Sequence, residues 1–274
     1  MVLKDNVTLV VNTCDSYSDL WELFYLALGE YWPNRTITML YNTEQKVELG
    51  FSASNCILHQ SQAKHWGERL IETLDDVETD YVLMVCDDFI IEDHFDEALL
   101  EQALNWMDKN KDISVFYLDD MKLEAKQGVT SYDGFELISD KVEFRLNTAP
   151  GLWRKEDLRL YTGKEDSPWA WEVFGTYRTQ KIKREFYQPT NHKIYNFNGA
   201  KGGAIYRGKW VEEVVADKIE KYKLDIDLEM RGVSSPISFE KRSLVWKLQF
   251  LWTGYRMVGL DVFKFIGGAL KGKL

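Results

Sequence analysis

Short apolar runs alternate with stretches of helical spacing from residue 5 to residue 120, and that alternation leaves few folds open. "NVTLVVNT" is β-branched, apolar and ended by polar residues, the pattern of a strand buried on both faces. "CDSYSDLWELFYLALGEYW" puts Leu20, Phe24, Leu28 and Tyr31 on one helical face, with Asp19 and Glu22 spaced as a capping pair and Pro33 and Asn34 as the stop. "TITMLYN" predicts a second strand, Trp66 to Leu74 a helix, "YVLMVC" a third strand, Phe95 to Met107 a helix and "ISVFYL" a fourth strand. The expected class is α/β, with a mostly parallel central sheet flanked by helices. Ligands of such sheets bind beyond the carboxyl ends of the strands, so "NTCDS", "CDD" and "LDD" fall along one rim.

The third strand delivers Asp87 and Asp88 directly from six uncharged residues. An ionised carboxylate is costly to bury without compensation. The pair therefore starts a solvated turn, caps a helix or holds a cation. Hard oxygen ligands at a strand end suit Mg2+ or Mn2+, above all when substrate phosphates complete an octahedron.

A net charge of −10 argues against a nucleic-acid partner, which asks for a basic face. The charge is uneven: Phe239 to Leu274 carry seven Lys/Arg against two acids, a net +5 that leaves −15 for the rest. Three widely spaced cysteines without a CxxC pair fit neither a disulfide framework nor a zinc ribbon, and point to a reducing cytoplasm. The N-terminus enters a strand at once and does not read as a signal peptide. Ten tryptophans are more than an average core uses; they fill a Trp-rich core or offer faces for sugars to stack on.

Beyond Met121 the rhythm changes. Residues 122–150 read as irregular strands or a hairpin around "SYDGF", "LWRKEDLRLYT" as a short helix, and "DSPWAWEVFGTYRT" as another with Asp166 or Ser167 as cap and Pro168 in its first turn. "REFYQ", "KIYNF" and "GAIYRG" read as short strands or loops, "NGAKGG" as a hinge, and Val211 to Tyr222 as a helix.

"VTLVVNTCDSY" followed by "WGERLIETLDDVETDYVLMVCDDFI" resembles the nucleotide half of GT-A fold glycosyltransferases of the bacterial polysaccharide-building type, in element order across residues 5–120. The resemblance implies a UDP-sugar donor, with Thr13, Asp15 and Tyr17 on the nucleotide, Arg69 supporting the diphosphate or base, Asp87 on the ribose and Asp88 on the metal. The family pattern is often D-x-D, whereas this chain has Cys86-Asp87-Asp88-Phe89, which leaves the ligand count open. By the same resemblance an acid at a helix start deprotonates the acceptor: Glu172, beside Trp169 and Trp171, with Asp166 and Glu165 as rivals. His192 would complete the metal site and Lys201 would fold over the diphosphate.

The implied division is a catalytic domain over 1–238, with the donor half at 1–120 and the acceptor half at 121–238, and an extension over 239–274. In the extension Leu244, Leu248, Leu251, Tyr255, Val258, Val262, Ile266 and Ala269 follow helical spacing, flanked by basic residues and tryptophans. Its longest uncharged run falls far short of a bilayer span, so it suits lying on an anionic membrane, docking on the catalytic domain or a homodimer contact. The expected protein is a cytoplasmic glycosyltransferase, peripheral on the inner face of the plasma membrane, acting on a glycan or lipid-linked glycan, inverting and metal-assisted. The rival readings are a sugar nucleotidylyltransferase and a catalytically degenerate, membrane-associated carbohydrate-binding protein.

Overall fold

A computed structural model describes residues 1–127, 132–199, 202–234 and 243–270. A helical turn, α1 (Leu3–Asn6), leads into β1 (Val7–Asn12), then α2 (Trp21–Tyr31), β2 (Thr38–Thr43), β3 (Cys56–Gln60), α3 (Trp66–Asp76), β4 (Tyr81–Cys86), α4 (Glu97–Lys109) and β5 (Ile113–Tyr117). There follow β6 (Phe135–Leu137), β7 (Gly151–Arg154), α5 (Lys155–Tyr161), α6 (Pro168–Ala170), a π-helical turn (Trp171–Gly175) and α7 (Thr176–Thr179). The described chain ends with β8 (Glu185–Pro189), β9 (Ile205–Tyr206), β10 (Lys209–Trp210), α8 (Glu212–Tyr222), α9 (Leu244–Val258) and α10 (Val262–Leu270).

The central sheet has eight strands in the order β3-β2-β1-β4-β7-β5-β8-β6. β3, β2, β1 and β4 are parallel, β5 and β8 are parallel, and β7 runs antiparallel between β4 and β5. The apolar runs read as they do because both faces are covered. Val7, Leu9, Val11, Tyr81, Leu83 and Val85 join residues of α2, α4 and α8 in one core layer. Val10, Val82 and Met84 point the other way, to α3 and α5. Trp21, Trp153, Trp171 and Trp210 are fully buried, so much of the tryptophan content is core.

Several elements differ from the sequence reading. β3 shows no alternation because it is a half-exposed edge strand, and only its pairing with β2 reveals it. The helix expected over "LWRKEDLRLYT" begins only at Lys155, because Gly151–Arg154 are drawn into the sheet by β4 and β5, contacts remote in sequence. Asp19 does not cap α2: Leu20 holds that position, and Asp19 instead binds Arg231 at 2.5 Å. The segments on either side of "SYDGF" pair antiparallel as expected, with Ala125 opposite Ile138 and the Lys126 amide donating to the Leu137 carbonyl at 2.7 Å; β6 also pairs with β8, and residues 128–131 lie outside the described ones.

The C-terminal extension is two helices, interrupted where Gly259 adopts φ 61°. Their inner side is docked. Val258 and Val262 are buried with Ala170, Val173, Phe174 and Tyr177, and the Phe250 ring lies 4.7 Å from that of Phe174. Residues 235–242 and 271–274 lie outside the described ones, as do the side chains of Ala269 and Leu270.

Candidate active site

The site follows from register. Asn12 of β1 is opposite Cys86 of β4, so the residues that leave these parallel strands, Thr13 and Asp87, emerge side by side. The Thr13 hydroxyl donates to Asp87 Oδ2 and itself accepts from Trp21 Nε1 at 2.6 Å. On the other flank Gly151 of antiparallel β7 pairs with Met84, which carries the preceding Thr148 up beside the same strand end. Thr13, Tyr17, Arg69, Asp87, Asp88 and Thr148 thereby line one cleft of ≈390 Å³, walled also by Trp66 and Phe89. Known ligand pockets run from roughly 300 to 1,000 Å³.

The electrostatics of the cleft disfavour negative charge. Burial, then the neighbouring Asp88, push the Asp87 carboxyl well above its usual range, against the Thr13 hydrogen bond. Burial pushes Asp88 up to about 7, and Tyr17 up to about 12 with the help of Asp88. The thiols of Cys14 and Cys86 are raised for the same reason. No cation forms an ion pair with Asp87 or Asp88 among the described residues. Among the described residues of the lining the cation is Arg69, and it is engaged by Glu44 at 2.8 Å. Two adjacent carboxylates left this way are unfavourable by themselves and become favourable when a cation joins them.

Asp15 stands just outside the cleft. Its carboxylate accepts from the backbone N–H groups of Glu44 (3.0 Å), Gln45 (2.8 Å) and Lys46 (3.0 Å). Both oxygens help to hold the loop after β2, and that loop presents Glu44 to Arg69, so Asp15 is tied to the cleft through Arg69. Arg231, which the sequence reading passed over, lies 4.9 Å above the Tyr17 ring and fixes that ring's loop through Asp19 and the Ser16 carbonyl.

Glu172 stands behind Thr148. Its Oε1 accepts from the Thr148 amide at 2.8 Å and hydroxyl at 2.5 Å, while Oε2 has no partner among the described residues. Burial raises its carboxyl, and the two Thr148 bonds oppose the rise. The expected pair of indoles is divided: Trp171 is buried against Trp66, 5.7 Å between ring centroids, whereas Trp169 is 56 % exposed and turns toward Phe250 of α9.

The other candidates lie elsewhere. Asp166 is buried in an ion pair, with Oδ1 bound by Arg178 at 2.9 Å and Oδ2 by Arg178 and by the Gly163 amide at 2.8 Å, and it does not line the cleft. Glu165 pairs with Arg256 on the surface. His192 is exposed and bound to Asp96 Oδ2 at 2.9 Å, beside the cap of α4 and away from the lining of the cleft. Lys201 lies outside the described residues. The glycines after it are not a free hinge: the Ala204 amide donates to the Asp88 carbonyl at 2.7 Å, and a Cβ on Gly203 would stand 2.7 Å from that oxygen.

Among the described residues no third His, Cys, Asp or Glu joins the aspartates in a metal-sized cluster. Two carboxylates fit a hard divalent ion that keeps water and takes phosphate oxygens as its remaining ligands. They do not fit an all-protein cage. The sequence carried a usable signal for Trp66, an aromatic residue at the start of a helix on the binding rim, but none for Thr148, whose place depends on the antiparallel insertion of β7.

No family model and no curated protein matches this chain. Solved structures do match in shape. The structure of S. aureus TarS residues 1–349 aligns with TM-score 0.51 at 14 % identity, over 95 % of this chain and 83 % of that one. A longer TarS structure aligns with TM-score 0.50 at 13 % identity, over 95 % of this chain and 50 % of that one. A cytidylyltransferase from Leptospira borgpetersenii (TM-score 0.43, 10 % identity, 93 % and 97 % covered) and the galactosyltransferase LgtC (0.36, 12 %, 56 % and 59 %) are too distant to carry an argument. With an eight-stranded, mostly parallel sheet, helices on both faces and a shape shared with TarS, the chain has a GT-A-like fold.

Proposed function

We propose that this protein is a glycosyltransferase that moves a sugar from a nucleotide diphosphate sugar, preferentially a UDP-sugar, to a hydroxyl of a glycan or lipid-linked glycan. The observation that carries the reading is the Asp87–Asp88 pair, delivered by β4 into a cleft where, among the described residues, neither carboxylate has an ion-pair partner. Residues 1–120 supply the donor side and 121–238 the acceptor side. The basic extension at 239–274 supports a place on the cytoplasmic face of the plasma membrane.

In this reading Thr13 and Tyr17 hold the nucleoside, Asp87 reaches the ribose, and Arg69 orients the diphosphate while Glu44 and Asp15 keep the guanidinium in place. Asp88 would hold Mg2+ or Mn2+, which when bound supplies charge neutralisation for the departing diphosphate. Trp66 and Phe89 keep water from the reacting carbon. Glu172, with one oxygen fixed by Thr148, takes the acceptor hydroxyl's proton on Oε2 as that hydroxyl displaces the diphosphate with inversion. A nucleotidylyltransferase would ask for a Gly-rich, Arg-containing loop after β1, and "NTCDSYSDL" has neither residue.

Thermal-shift titration with UDP-sugars, with and without Mn2+, followed by donor hydrolysis in the absence of acceptor, tests the reading. Metal-dependent stabilisation and slow release of UDP are expected. Binding without hydrolysis or transfer would make the protein a carbohydrate-binding scaffold. Pyrophosphate release from a nucleoside triphosphate and a sugar phosphate would make it a nucleotidylyltransferase.

A further inference from the structure

α9 is apolar on two sides, and the fold uses one. Phe250, Gly254 and Val258 face the domain, where Gly254 lies so close to Phe174 that a Cβ there would come within 2.5 Å of the ring. On the opposite side Leu244, Leu248, Trp252 and Tyr255 recur at helical spacing and stand in solvent, with Leu248 68 % and Trp252 62 % exposed. Leu260 and Phe263 extend the same exposure, 74 % and 61 %, past the break at Gly259. The face is held in one orientation because the inner side is docked.

Charge says what covers it. α9 and α10 carry Lys247, Arg256 and Lys264 and contain no acid of their own; Arg256 pairs with Glu165, and Asp261 between the helices is taken by Lys181 at 2.8 Å and Lys264 at 2.9 Å. This is the basic end of a chain whose net charge is −10. A second copy placed on the stripe would bring like charges together. Anionic headgroups would be attracted here and repelled elsewhere. Trp252 and Tyr255, stacked 5.6 Å apart, are the side chains that settle at a membrane–water boundary. No described helix is long and apolar enough to cross a bilayer, so the helix would lie on it.

We propose that the outer face of α9 and the start of α10 form a lipid-docking surface seated on a bilayer of anionic headgroups. The placement has a consequence that rests on the glycosyltransferase reading. Thr253, Arg256 and Met257, the flank of α9 beside the stripe, line a groove of ≈620 Å³ whose far wall holds Lys64, His65 and Lys164. His65 and Ser167 of this groove adjoin Trp66 and Pro168 of the donor cleft in the chain. Seated on lipid, the protein would receive at headgroup level an acceptor that is itself anchored in the bilayer.

Co-sedimentation with phosphatidylcholine vesicles, with and without phosphatidylglycerol, tests the surface. The wild-type chain should bind the anionic vesicles. Leu248→Glu combined with Phe263→Glu should lower the bound-to-free ratio more than about tenfold, with melting temperature and UDP binding kept as readouts of an intact fold. Lys247→Glu should weaken binding to a smaller degree, and only at low salt. Absence of wild-type binding, equal binding to neutral vesicles, or a double variant that binds like wild type would overturn the proposal. So would a wild-type dimer, seen by light scattering, that the same substitutions dissociate. Vesicle binding by a protein that ignores every nucleotide sugar would remove the glycosyltransferase reading and leave the lipid surface standing.

Discussion

The hydroxyl of Thr13 bridges Trp21 and Asp87: it accepts from the indole N–H and donates to the carboxylate, joining the ends of β1 and β4. Thr13→Val keeps the shape and leaves both partners unsatisfied in a buried place. A loss of ~1–3 kcal/mol is expected, read as a lower urea midpoint, together with weaker UDP binding. Thr13→Ser should restore most of both, because the hydroxyl rather than the methyl is what the junction uses.

Asp88 makes the fold sensitive to pH in a direction opposite to that of a salt-bridged acid. Burial raises its carboxyl to about 7, above the value of an unfolded chain. Between those two values the native state binds more protons than the unfolded state, so stability falls as pH rises. In EDTA, Asp88→Asn should therefore melt above wild type at pH 8 and level with it near pH 4. Mn2+ should raise the wild-type melting temperature and leave the variant unmoved. A variant no more stable than wild type at pH 8 would show that the carboxylate already has a counter-charge.

Gly203 allows the backbone after residue 201 to sit on Asp88. Its φ of +136°, and the 2.7 Å that would separate a Cβ at this position from the Asp88 carbonyl, leave no room for a side chain. Gly203→Ala should cost ~1–3 kcal/mol through backbone strain and weaken donor binding, since the cleft floor must move. Gly199→Ala, which meets only the Phe197 ring at 3.8 Å, is the control and should do neither.

The parts of this architecture legible in the sequence are those set by local rules. β1, β2, β4 and β5 announce themselves because a strand covered on both faces must be continuously apolar, and the aspartates because a charged pair directly after such a strand needs an explanation. β3 and β7 do not, because an edge strand lacks the pattern and an antiparallel insertion depends on partners in β4 and β5 that are remote in sequence. The same division runs through the site. Asp87 and Asp88 are placed by their own strand, whereas Asp15, Asp166 and His192 are bound by the Glu44–Lys46 loop, by Arg178 and by Asp96, partners that their own segments do not announce. Residue type shows what a side chain can do; the partner that claims it belongs to another element.

The docking of α9 depends on one small residue. Gly254→Ala would press a methyl group into the Phe174 ring and should cost ~1–3 kcal/mol through overpacking. Protection of α9 amides from hydrogen exchange should fall, while UDP affinity stays unchanged because the donor cleft has no residue from this helix. Removal of residues 239–274 should do more, uncovering Ala170, Val173, Phe174 and Tyr177 and leaving a domain that aggregates.

Glu172 carries the chemical step in the proposed reaction, and its geometry makes the test sharp. Thr148 donates to Oε1 through both its amide and its hydroxyl, and a glutamine carbonyl can accept the same two bonds. Glu172→Gln should then fold and bind UDP as wild type does while transfer falls ~10²–10⁴-fold, the usual share of a general base. The pH profile gives a second readout. Burial raises the Glu172 carboxyl, so its contribution to the acidic limb of the wild-type rate should lie above the ordinary range of a glutamate and should be missing from the variant, while the limb set by Asp88 remains. A loss of rate matched by an equal loss of UDP affinity, with the acidic limb intact, would make Glu172 a support for Thr148 and leave the base to be found on another element.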